Sequence, residues 1–113
     1  MNIWGNIWQP ADIEDQPEVT LRYWKVIEVE GKDPEYFGRH FVGWNVEDQE
    51  GRVSSKIVAF DAKTMRGVTD SGRVYQLEGK PGSHPDAEYV LRAWLRGQGV
   101  EKHRVVELEH AHG

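Results

Sequence analysis

Apolar and polar positions alternate through "VTLRYWKVIEVEG". Val19, Leu21, Tyr23, Ile27 and Val29 fall between Thr20, Arg22, Glu28 and Glu30. Period-two patterning in a β-branched and aromatic run predicts a strand, with those five residues on one face. Trp24 and Val26 occupy the opposite face, so that face is not fully solvated. Lys25 breaks the apolar pattern and marks a bulge or a sheet edge. "RHFVGWNV" predicts a second strand with Val42, Trp44 and Val46 on one face. "RVSSKIVAFD" predicts a third, with Val58 and Phe60 facing one way and Val53, Ile57 and Ala59 the other. "RGVT" and "RVYQLEG" follow as short strands, the second with Tyr75 and Leu77 together. The connections "EDQEG", "AKTM" and "DSG" are short, which suits an antiparallel meander better than crossover units.

The period changes at "GSHPDAEYVLRAWLRGQG". Val90, Leu91, Trp94 and Leu95 form the stripe of a helix lying on a sheet, with Arg92 and Arg96 turned outward. Ser83 followed by Asp86 resembles a capping box, Pro85 suits a first turn, and Gly97 or Gly99 supplies the stop. "HRVVELE" reads as a last strand. The sum is one α+β domain over residues 1–113. Its sheet is mostly antiparallel, strongly curved or SH3-like and barrel-like, with about six strands and one main helix near residues 85–97. Within it, 1–18 form an arm and acidic loop, 19–82 the meander, 83–98 the helix, 99–109 the final strand and 110–113 a tail.

Composition narrows the class. The 113 residues include five Trp, four Tyr and three Phe, too many for a disordered chain, and no cysteine. No apolar run reaches the roughly 18 residues of a spanning helix, and the first residues lack a basic, continuously apolar leader. A cytoplasmic protein without a membrane segment is expected. The net charge of −5 disfavours a dominant role in phosphate binding, since that affinity grows with each phosphate neutralised.

Candidate chemistry is sparse. Ser54, Ser55, Ser71 and Ser83 lie in no nucleophile elbow, and Ser54-Ser55 is expected to bond to backbone or water. His40, His84 and His103 are scattered singly and read as surface or strand-end residues. His110 and His112, beside Glu107 and Glu109, have a spacing that could hold a divalent ion weakly, but a terminal tail loses entropy on binding. "EGKPGS" ahead of the helix has the makings of an anion site yet not the spacing of a Walker loop, and reads as a connection. No catalytic, cofactor or metal residues are assigned and no cofactor is expected.

The aromatics carry more. Trp24, Trp44, Tyr75 and Trp94 fit the patterned elements as core anchors. Tyr36 and Phe37, with Arg39 close behind, sit in the loop "DPEYFGR" and either plug an open end of the sheet or project as contacts. The chain begins with a doubled tripeptide, Asn2-Ile3-Trp4 and Asn6-Ile7-Trp8. Extended, it carries Trp4, Asn6 and Trp8 on one face and Ile3, Gly5 and Ile7 on the other. Such an arm packs across its own subunit or docks onto a neighbour or partner. Trp4, Trp8, Tyr36, Phe37 and Arg39 are therefore the candidate partner-binding residues, and a homo-oligomer through the arm stays open.

Thr69, Ser71, Gly72, Tyr75, Leu77, Gly79, Pro81 and Gly82 spell T-x-S-G-x-x-Y-x-L-x-G-x-P-G ahead of "DAEYVLRAW". This stretch resembles small bacterial proteins of unknown function that share such a hairpin running into a helix. The resemblance covers residues 53–96, implies strand, turn, strand and helix in that order, and transfers no site. The expected function is that of a small non-enzymatic binding or regulatory protein, of accessory or inhibitor type, contacting an unidentified protein. The first alternative is a nucleic-acid-binding β-barrel module using Arg and aromatic side chains. The second is a small enzyme with His40 or His84 in a barrel mouth.

Overall fold

The structure is a computed structural model that describes residues 16–31 and 38–107. Its elements are β1 (Glu18–Gly31), β2 (Gly38–Asn45), β3 (Glu50–Asp61), β4 (Arg66–Thr69), β5 (Val74–Leu77), α1 (Pro85–Gly97) and β6 (Val100–Val106). This is an α+β fold: a six-stranded, mostly antiparallel, curved sheet and one helix.

Strands β2 to β5 pair antiparallel in chain order, and β1 pairs with both ends of that run. It runs antiparallel to β2 and parallel to β5, from Glu18 opposite Val74 to Leu21 opposite Leu77. The parallel contact follows from counting. Five strands that reverse direction at each step leave the fifth pointing the same way as the first. The second half of β1 leaves β5 behind and pairs instead with β6, from Val26 opposite Val106 to Gly31 opposite Val100.

Bulges produce the curvature and overturn two of the face assignments expected from strict alternation. In β1 the register slips between Arg22 and Lys25. That extra residue flips the parity of the strand. Val19 and Leu21 thereby join Trp24 and Val26 in one enclosed cluster with Phe41, Phe60 and Tyr75. Ile27 and Val29 pass to the other face, and Tyr23, expected to share their face, is 53% exposed. In β3 a second slip lies between Ile57 and Ala59. Ile57 and Phe60 consequently pack in the same cluster, while Val58 is exposed.

The second cluster lies between sheet and helix: Ile27, Val29, Val42 and Val53 beneath Ala87, Val90, Leu91 and Trp94. β1 is therefore buried on both faces over Val26-Ile27, which accounts for the two consecutive apolar residues there. The helix approaches most closely over Gly51, where a Cβ would come within 2.4 Å of the Asp86 carbonyl oxygen. Only glycine leaves room for that contact. The helix N-cap is His84, not Ser83; its Nδ1 accepts from the Asp86 amide at 3.1 Å. Asp86 and Glu88 in the first turn and Arg96 in the last agree with the helix dipole, and Gly99 at φ 63° ends the turn. Strand, turn, strand and helix follow in the order that the hairpin motif implies. Among the described residues no helix is long and apolar enough to cross a membrane.

Polar side chains close one end of the enclosed cluster. Arg52 is buried with its guanidinium 5.8 Å from the centre of the Tyr75 ring, and its Nη1 donates to Gln16 Oε1 at 3.2 Å. Arg73, also buried, donates from Nε to the Gln16 carbonyl at 2.8 Å. At the other end, where β1 passes from β5 to β6, the cluster opens into a groove.

Candidate functional site

The bulge in β1 builds a surface as well as a curve. Tyr23 holds φ at 49°, in the left-handed region that a bulky aromatic residue rarely occupies. That backbone turns its ring away from the enclosed core and toward the start of α1. There His84 lies between two aromatic side chains. Its ring stacks on Trp44 with centroids 4.2 Å apart and planes at 26°, and faces Tyr23 at 5.7 Å. Trp44, expected in the core, is only half-buried, because it shares the outer face of β2 with Val42 and lies at the margin of the helix. Trp24, Tyr75 and Trp94 are core residues, as the pattern required.

Three conditions hold the trio in place. The N-cap bond fixes the His84 ring, and because Nδ1 accepts from an amide it carries no proton there. The glycine contact at Gly51 sets the height of the helix start above β3. Lys25, immediately after the bulge, forms an ion pair of 2.7 Å with Glu88 in the first turn of α1. The charge that interrupts the apolar pattern of β1 is thus a tie between bulge and helix.

The ring cluster is edged by charges that neutralise one another. Arg22 bonds to Glu78 at 2.9 Å across the strand end. Together with Tyr23, Gly79 and Lys80 they line a shallow depression of about 350 Å³. A half-buried stacked pair beside an exposed tyrosine, with Arg22 and Lys25 each paired to a carboxylate, suits contact with a polypeptide surface better than with a polyanion, which draws its affinity from uncompensated Lys and Arg.

The residues singled out from the sequence are dispersed. Trp4, Trp8, Tyr36, Phe37, His110 and His112 lie outside the described residues. Arg39, at the opposite end of β2 from Trp44, bonds to Glu28 at 3.2 Å. Glu28 also accepts from Arg104 Nη2 at 2.7 Å. The bonds from Arg104 and then Arg39 hold the Glu28 carboxyl below its ordinary value.

His40 is not a surface residue. It is 2% exposed, with Nδ1 2.9 Å from the Ser54 carbonyl and its ring edge-on to Trp94 at 4.7 Å. A carbonyl only accepts, so Nδ1 carries the proton and His40 braces β2 against β3 beneath the helix. Ser54 accepts from the Phe41 amide and donates to the Ser55 carbonyl, the backbone role expected of it. His103 is exposed on β6. The Gly82 amide ahead of α1 is taken by the Trp24 carbonyl at 2.8 Å, so this stretch acts as a connection. Among the described residues no group of three or more His, Cys, Asp or Glu is placed to hold a metal ion.

Sequence reasoning missed the trio because its members lie 21 and 40 positions apart. The available signal was Lys25: a charge inside an apolar run marks the place where alternation fails. Comparison of the chain with protein-family models, with curated proteins and with solved structures finds no match. The fold and the site define its class directly: a small α+β domain whose sheet is curled by bulges and presents a histidine between two aromatic rings.

Proposed function

We propose that the protein is a small binding module that acts by contact with another protein, and that Tyr23, Trp44 and His84 form the contact. One observation carries this reading. A half-exposed tyrosine is kept in a costly left-handed conformation by a bulge that has no need of an aromatic side chain. A glycine or asparagine there would serve the fold. Strained residues of this kind cluster at binding sites, where the surrounding structure holds them. Tyr and Trp are also the residues most enriched where interfaces concentrate their binding energy. The charge pattern supports a protein partner over nucleic acid, since Arg22 and Lys25 are compensated by Glu78 and Glu88.

The test is affinity capture from nuclease-treated lysate of the native host, comparing the wild type with Tyr23→Ser and Tyr89→Ser. Tyr89 is equally exposed, on the helix, and serves as a control. A stoichiometric protein retained by wild type and Tyr89→Ser but lost with Tyr23→Ser is the expected result. Equal recovery by all three, or recovery of nucleic acid from untreated lysate with no protein, overturns the proposal.

A further inference from the structure

The row formed by Tyr23, His84 and Trp44 restricts the kind of segment that can lie against it. The backbone beside the row is already used. The Leu21 carbonyl accepts from the Glu78 amide at 2.9 Å, and the Trp24 carbonyl accepts from the Gly82 amide at 2.8 Å. On its other side β1 pairs with β2 before and after the bulge, Arg22 opposite Trp44 and Lys25 opposite Val42. A strand from a partner therefore finds no ladder to extend at the row.

The rings supply hydrogen-bond donors instead. His84 Nδ1 accepts from the Asp86 amide, so in the neutral ring the proton sits on Nε2. Among the described residues nothing bonds to that N–H, to the Trp44 indole N–H or to the Tyr23 hydroxyl. A ligand matched to these groups brings carbonyl oxygens that are not already in use. A helix uses its carbonyls internally. A polyproline II segment makes no internal hydrogen bonds, and its prolines have no N–H in need of an acceptor.

We infer, resting on the reading of Tyr23, Trp44 and His84 as the contact, that the row binds an extended, proline-rich segment of the partner that carries an acidic residue. The dimensions agree. Centroid spacings of 4.2 Å from Trp44 to His84 and 5.7 Å from His84 to Tyr23 bound the row at the length of one polyproline II turn, about 9 Å. Such a segment is extended before it binds, so it loses little freedom in packing its prolyl rings on the aromatic faces.

Charge beside the row selects the acidic residue. The depression next to Tyr23 holds two cations, Arg22 and Lys80, and one carboxylate, Glu78. Arg22 is paired with Glu78 at 2.9 Å. Lys80 is exposed and makes no ion pair among the described residues. A carboxylate received there fixes the direction in which the segment lies, which rings alone leave open.

The probe is a capped oligoproline of about nine residues, three turns, with glutamate at one end. It is titrated into the full chain labelled with ¹⁵N, and the indole N–H resonances are followed. The controls are a glycine–serine peptide of equal length with the same glutamate, and the oligoproline with lysine replacing glutamate. A saturable shift of the Trp44 indole is expected, with a Kd at least about tenfold below that of the glycine–serine peptide and a loss of about tenfold in Tyr23→Ser. Trp44→Phe, which keeps a ring and removes the N–H, should weaken binding about threefold, and the lysine peptide should bind less tightly than the glutamate peptide. The amide spectrum of each variant verifies its fold. No saturable shift, equal affinity for the proline and glycine–serine peptides, or unchanged affinity in both Tyr23→Ser and Trp44→Phe overturns the inference; a lysine peptide that binds as well overturns the acidic residue. If oligoproline fails to bind while Tyr23→Ser still abolishes capture of a protein partner, the proline-rich segment falls and the contact itself stands.

Discussion

Replacing Tyr23 by alanine and, separately, by glycine tests the strain on which the proposed binding site rests. Both substitutions delete the ring and its contact with His84, so the difference between them isolates the backbone. At an ordinary strand position glycine is the worse residue by roughly 0.5–1 kcal/mol, because it gains more freedom in the unfolded chain. At φ 49° the balance changes. A residue with a Cβ costs roughly 1–2 kcal/mol in the left-handed region, and glycine costs almost nothing there. Subtracting the entropic term leaves Tyr23→Gly more stable than Tyr23→Ala by about 0.75 kcal/mol at the midpoints of the two ranges.

Both variants lose buried surface relative to the wild type. The residue is 53% exposed, so roughly half of the 150–250 Å² that a large aromatic can bury is covered. That area corresponds to at most about 2–3 kcal/mol, and to less if the unfolded chain is compact. The assay is urea denaturation followed by far-ultraviolet circular dichroism, with midpoints compared at a common slope. The reversed order, glycine above alanine, is the expected sign. Alanine equal to or above glycine would show that Tyr23 is unstrained, and the structural reason for assigning the site to it would fall.

Gly51→Ala places a methyl group 2.4 Å from one backbone atom of α1 and 2.7 Å from the Ala87 Cα, so the helix must move. A loss of about 1–3 kcal/mol is expected, and a Tm lower by about 5–12 °C in calorimetry; a variant as stable as wild type would mean that the helix is not seated there. His84→Ala should cost about 1 kcal/mol by removing the N-cap, and His84→Asn should recover most of it while still losing the ring that stacks on Trp44. Equal midpoints for the two variants would separate His84 from the cap. Glu28 and Glu50 should shift stability with pH in opposite senses. The Arg104 and Arg39 bonds lower the Glu28 value below 4.5, so its stabilisation is present above that pH and lost as pH falls through the folded value. Glu28→Gln should therefore lower the urea midpoint at neutral pH and match wild type in acid. Burial, and then the neighbouring Asp48 charge, raise the Glu50 value above 4.5. Its ionisation opposes folding as pH rises through the folded value, so Glu50→Gln should raise the neutral midpoint and have no effect well below pH 4.5.

The sequence by itself determined the elements. Strand periodicity in residues 19–29, 39–46 and 73–79 and the helical stripe through Val90, Leu91, Trp94 and Leu95 are local signals. They come from side chains whose spacing matches one secondary structure, and the structure contains each element. The helix ran from Pro85 to Gly97, where Pro, acidic residues and glycine had placed it. The caps were less legible, because Ser83 and His84 both offer an acceptor and only the backbone turn decides which one meets Asp86.

Tertiary structure decided which face each residue occupies and what the surface can contact. Alternation assumes a regular pleat. One inserted residue at Tyr23-Trp24 and another near Val58 reverse it; Lys25 signals the first, whereas nothing in the residue types around Val58 signals the second. His40 read as a strand-end residue until α1 covered it. Trp44 read as core until the helix stopped short of it. The candidate site belongs wholly to this second level: it needs a bulge in β1, an outer position on β2 and a helix N-cap to meet within 6 Å. Periodicity fixes what is apolar and where the chain turns. Long-range packing alone, through bulge placement and the height of one helix above Gly51, decides which aromatic side chains are buried and which remain available to a partner.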